Sequence, residues 1–148
     1  MKGPRLSVRG ILSDGERLLV NRDQGQLALF GGGLEKGETA RRALARELDE
    51  ELGLSLPIGP LAYLIENFYV DERERRIHEI GFYFQVSVPP ETAIAAREEK
   101  LDPVWLPLDQ VAAAPLLPAV LREQLALGLP RQTVELVQID RAAFPEVL

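Results

Sequence analysis

The sequence predicts an α/β protein. Short segments with strand-like alternation occur through most of the chain, while one stretch, residues 39–52, repeats leucine every four positions at Leu44, Leu48 and Leu52. The two kinds of segment are interleaved rather than segregated, and no internal repeat, low-complexity tract or linker separates them. At 148 residues the chain is expected to form a single domain, 1–148, long enough to bury a core of its own.

The elements follow in order. Residues 5–12 and 16–23 read as two strands joined by a tight turn at Asp14-Gly15, a strong short-loop signal. Residues 27–30 (LALF) are a short strand running into three glycines. The helix is expected from about Thr39 to Leu52, with Ala40 beside the leucines and Gly53 as its stop. Residues 61–70 and 77–88 form a second strand pair around the charged turn DERERR. In the latter strand His78, Ile80, Phe82, Phe84, Val86 and Val88 share one face, expected to be core. Glu79, Gly81, Tyr83, Gln85 and Ser87 share the other, expected to be a site wall. A short strand around Trp105 and helices over 108–113 and 116–127, broken by Pro115 and Pro118, complete the pattern. TVELVQID alternates like a strand, and its docking place is not legible.

Composition bounds the function. Hydrophobic residues make up 46% and charged residues 27%, ordinary values for a globular chain. The absence of cysteine excludes disulfides and thiolate zinc sites and fits a reducing compartment. No apolar run approaches the roughly 20 residues of a membrane span, and the N-terminus lacks a signal-peptide apolar region, so a cytoplasmic protein without membrane attachment is expected. A net charge of −6 disfavours a nucleic-acid surface but not a polyanionic small molecule, because a bound divalent cation reverses the local sign.

The most informative stretch is GGGLEKGETARRALARELDEELGL, residues 31–54. Acidic residues gather at the C-terminal end of its helix, where the peptide dipoles already present their negative pole. Glu47 and Glu51 lie four residues apart on one face, with Glu50 on the flank. Taken alone, RELDEELG also suits a solvated helix face. Paired with a glycine loop, the three carboxylates make a hard oxygen donor set suited to magnesium or manganese.

The spacing is more specific. Gly32, five residues, Glu38, seven residues, Arg46-Glu47-Leu48, one residue, Glu50-Glu51, one residue and Gly53-Leu54 together resemble the Nudix box, and every specified position over residues 32–54 matches. The order of flanking elements is similar to that of the Nudix hydrolase family, which implies an α/β/α sandwich with a mixed β-sheet between helices. One departure is Phe30, which stands where many members carry proline before the paired glycines.

The resemblance implies a metal-dependent hydrolase. Glu47, Glu50 and Glu51 would hold Mg2+, with Mn2+ as the alternative and the carbonyl of Gly32 as a further ligand. Glu38 and Arg46 would brace the loop against the helix. Glu50, Glu51, or a glutamate of a later loop, Glu98 or Glu99, would serve in catalysis. Gly33, Phe30, Tyr83 and Glu79 are the substrate-binding candidates, and His78 is expected to be a hydrogen-bonded, partly buried residue. The expected reaction is hydrolysis of a phosphoanhydride bond in a nucleoside diphosphate linked to another moiety, such as ADP-ribose or a nucleotide sugar. The alternatives are a nucleoside triphosphate pyrophosphatase acting on oxidised or non-standard nucleotides and a non-catalytic nucleotide-sensing module. A homodimer is a family expectation.

Overall fold

In the computed structural model, which describes residues 3–148, the Asp14-Gly15 turn joins β1 (Arg5–Ser13) to β2 (Arg17–Asp23) as the sequence predicts. Asp14 organises the turn: its carboxylate accepts the backbone N–H groups of Glu16 at 3.0 Å and Arg17 at 2.8 Å, and pairs with the Arg17 guanidinium. The apolar run 27–30 divides into β3 (Gln26–Ala28) and β4 (Phe30–Gly33). β4 pairs antiparallel with the first half of β1, from Ser7 opposite Gly33 to Gly10 opposite Phe30.

The eight-stranded mixed sheet runs β3-β2-β1-β6-β5-β8, with β4 on β1 and β7 on β2. β5 (Leu61–Val70) and β6 (Arg76–Ser87) form the long antiparallel hairpin, and β6 from Glu79 onward lies parallel to the whole of β1. β7 (Pro103–Pro107) carries Trp105 against β2. The tail strand β8 (Val134–Ile139) docks parallel to β5 at the sheet edge.

Both faces of the sheet are covered. α1 (Ala40–Leu52) begins at Thr39, whose hydroxyl accepts the Arg42 N–H, and ends at Gly53 in the left-handed conformation. Its buried residues Ala43, Leu44, Leu48 and Leu52 pack on Val8, Leu12, Phe84 and Val86. On the opposite face a 3₁₀ helix (Leu108–Ala113) and α2 (Val120–Ala126) set Val111, Leu121 and Leu125 against Ile11, Tyr63, Ile65 and Tyr83.

Two expectations are corrected here. The second face of β6 is not simply a site wall, because Tyr83 is 4% exposed and belongs to the second core layer. The helix expected over 116–127 begins only at Val120. Residues 115–117 instead bond to β3, with the Leu27 N–H on the Pro115 carbonyl and the Leu117 N–H on the Leu27 carbonyl, both at 3.0 Å. Pro118 then leaves a helix through this stretch without an amide donor.

The Asp14 carboxyl is held below its ordinary range, first by the Glu16 N–H and then by Arg17. A depressed folded pKa gives stability that is present above the unfolded value and lost as pH falls through the folded one. Asp14→Ala should therefore melt below wild type at pH 7, and the two melting temperatures should converge below about pH 4, measured by circular dichroism.

Candidate active site

The site begins where β4 crosses the C-terminal half of α1. Gly31 has φ 150° and lies so close to the Val8 carbonyl that a side chain has no room. Gly32 lies against the Glu47 carboxylate. This close approach lets the Gly31 N–H donate to Oε1 of Glu51 at 3.0 Å. Glu51 is 9% exposed, and burial, reinforced by the negative charge of Glu47, pushes its carboxyl up to about 7. The Gly31 N–H and Arg9 oppose the rise, and Glu98 adds to it. Glu50, by contrast, is exposed.

Arg46 ties the loop to the helix. It grips Glu38 with two hydrogen bonds, Nη2 to Oε1 at 2.7 Å and Nε to Oε2 at 3.1 Å, and donates to the Gly33 carbonyl at 3.1 Å. Its remaining nitrogen reaches Glu47 at 3.1 Å and Glu50 at 3.4 Å. The Glu38 carboxyl is accordingly held below, and the Arg46 guanidinium above, their usual ranges. Glu38 also accepts the Glu35 N–H at 2.8 Å, fixing the turn that precedes α1. These bonds join the turn before α1, the Gly33 carbonyl and the helix through one guanidinium.

Across β1 from this cluster lies a cleft of about 470 Å³. Its wall carries Arg5, Arg9, Tyr69, Glu79 and Tyr83, with Leu117 to Ala119 and Asp140 along the rim. The β1–β6 register places Arg5 beside Glu79 and Arg9 beside Tyr83. Glu79 is 8% exposed, accepts the Tyr69 hydroxyl at 3.4 Å and lies 3.7 Å from Nε of Arg5.

Residues 3–127 match the family model described as NUDIX domain. The chain belongs to this family. The nucleoside triphosphatase NudI of Salmonella paratyphi B is 36% identical over 109 residues, covering 70% of this chain and 76% of that protein. The E. coli dihydroneopterin triphosphate pyrophosphohydrolase shares the fold with a TM-score of 0.70 at 21% identity, over 86% of this chain and 98% of that one. The NUDIX domain of Shewanella oneidensis NrtR, complexed with ADP ribose, has a TM-score of 0.65 at 20% identity, over 86% and 90%. The protein is thus a Nudix hydrolase.

Of the substrate-binding candidates, Glu79 and Tyr83 line the cleft. Phe30 does not: at 1% exposure it packs under α1 with Ala43 and Leu44, an apolar side chain on the core side of β4. Glu98 is half-buried beside the acidic end of α1, whereas Glu99 is exposed. His78 is half-buried, 3.1 Å from Glu66 and stacked on Phe68. Arg5 and Arg9 were missed by sequence reasoning, although two arginines four positions apart on a strand share a face and give a readable signal.

The donor set fits a hard divalent cation. Glu47 and Glu51 are neighbours at the buried end of the helix, their charges repel, and all the donors are oxygens. Among the described residues no three His, Cys, Asp or Glu side chains converge on one point. Glu47 and Glu50 lean toward Arg46, and Glu51 toward Gly31.

A carboxyl raised on folding from 4.5 to about 7 removes stability as pH climbs through that window. In metal-free protein, Glu51→Gln should therefore match wild type near pH 4.5 and exceed it at pH 8, by at most about 3 kcal/mol. Urea unfolding at the two pH values checks this. Equal stabilities at pH 8 would show that Glu51 carries no buried charge.

Proposed function

We propose that the protein hydrolyses a phosphoanhydride bond of a nucleoside triphosphate, with the nucleoside in the cleft and the phosphates directed at the acidic end of α1. One observation carries this: Arg9 belongs to both places. It lines the cleft, and its charge acts on Glu51. A guanidinium between a recess walled by Tyr69 and Tyr83 and a cluster of carboxylates is placed to hold a polyphosphate between them.

Glu47, Glu50 and Glu51 would hold a divalent cation, Mg2+ by donor type, with Mn2+ the alternative. When bound, such a cation neutralises phosphate oxygens and makes water a better nucleophile at neutral pH. The chain's own residues do the rest. Arg46 and Glu38 fix the helix against the glycine strand, so the carboxylates keep their spacing. Arg9 and Arg5 bind and orient the anionic chain. Glu98, half-buried beside Glu51, accepts the proton of the attacking water, and phosphate leaves from the opposite side of phosphorus.

The triphosphate is favoured over a diphosphate-linked substrate by the relative at 36% identity, which is named a nucleoside triphosphatase. The test is a substrate panel of nucleoside triphosphates, ADP-ribose and nucleotide sugars with Mg2+, the products identified by phosphorus NMR. Triphosphates should be cleaved with the higher kcat/KM. Faster cleavage of ADP-ribose or a nucleotide sugar would transfer the assignment to diphosphate-linked substrates. Glu51→Gln should lower kcat by about a hundredfold or more. Arg9→Ala should chiefly raise KM, by about tenfold, as loss of one charged hydrogen bond to substrate predicts.

A further inference from the structure

The acidic end of α1 has no basic residue in its last turn. The missing cation arrives from elsewhere in the chain. Residue 97 lies in an irregular segment between β6 and β7, and its backbone N–H donates to the Glu51 carbonyl at 2.8 Å. The Arg97 guanidinium donates to the Asp49 carbonyl at 3.3 Å and lies 3.5 Å from the Asp49 carboxylate. It rests directly against Gly53, the residue that closes the helix. One side chain thus bonds a free helix carbonyl and opposes the negative pole.

The consequence concerns the next residue. Because position 97 is bonded to the backbone of Glu51, position 98 is carried to the edge of the carboxylate cluster. Glu98 is half-buried there, while Glu99 is exposed. Ile94 and Leu101 hold the two ends of the segment on the α1-side core, and the Leu101 N–H bonds the Glu98 carbonyl at 3.1 Å. Arg97 is the polar tie between those apolar anchors.

We propose that Arg97 is a positioning residue that fixes Glu98, and not Glu99, as the proton acceptor of the reaction. This rests on the hydrolase mechanism above. The water oxygen bonds to phosphorus, the anhydride P–O bond breaks, the proton passes to the Glu98 carboxylate and the leaving phosphate keeps the electron pair. Arg97 touches none of these atoms. It acts by keeping the Glu98 backbone in register with Glu51.

The Arg97 side chain is 59% exposed, so its ion pair adds little to stability and its variants should fold. The experiment compares Arg97→Ala, Arg97→Lys, Glu98→Gln and Arg97→Ala/Glu98→Gln using the best triphosphate with Mg2+. Hydrogen exchange at amide 97 is measured in parallel. Arg97→Ala should lower kcat by about tenfold or more with KM nearly unchanged, and Arg97→Lys should recover much of it. Exchange at amide 97 should accelerate in Arg97→Ala. The double variant should be no slower than Glu98→Gln alone, because the arginine acts only through the glutamate.

Wild-type kcat in Arg97→Ala or in Glu98→Gln, or multiplication of the two losses in the double variant, would overturn the proposal and leave the hydrolase assignment standing. Failure of the wild-type protein to cleave any triphosphate or diphosphate-linked substrate would remove both.

Discussion

The arrangement depends on one close contact, that between the glycine strand β4 and the C-terminal half of α1. Gly31 and Gly32 bring backbone against carboxylate with no side chain between, so Glu51 is buried beside Glu47 and satisfied by a backbone N–H. A larger residue at Gly31 would collide with the Val8 backbone of β1, and one at Gly32 would displace the Glu47 carboxylate. Burial raises the free energy of the charged form of Glu51, and a cation at that point offsets both the desolvation and the repulsion from Glu47.

The charges around that contact are divided among three arginines with different jobs. Arg46, on the helix itself, is committed to Glu38 and the Gly33 carbonyl, so it fixes geometry and neutralises Glu47 only in part. Arg97 comes from the later loop and serves the helix end from outside. Arg9 stands on the cleft side, with one side-chain bond among the described residues, of 3.4 Å to the Leu29 carbonyl. Its other donors are available to a phosphate. The negative charge at the end of α1 is therefore balanced by Arg46 from within the helix and by Arg9 and Arg97 from elsewhere in the chain, not by a basic residue in its own last turn.

Long-range partnership also separates what the sequence made legible from what it hid. α1 was readable because its signals are local: leucines at four-residue spacing, Thr39 at the start and Gly53 at the end. The Glu38–Arg46 pair was an expectation from the family resemblance, not from the residues alone. The cleft was not readable, since it joins β1, β5 and β6 to residues 117–119 and Asp140, and strand register depends on the whole sheet. Phe30 misled because proximity in sequence to the glycine loop does not say which face of β4 a side chain takes. Its pairing with β1 turns it toward Leu44. The tail strand docked where its half-buried alternation allows, at an edge with one neighbour.

The most direct test of the central claim, that a buried carboxylate at the end of α1 awaits a divalent cation, is the proton balance of metal binding. Titration calorimetry with Mn2+ at pH 6.5, in buffers of different ionisation enthalpy, counts the protons released. With the Glu51 carboxyl near 7 in the metal-free protein, wild type should release about three-quarters of a proton per site, and Glu51→Gln should bind weakly and release none. Mn2+ binding by wild type without proton release, or undiminished binding by the glutamine variant, would contradict it.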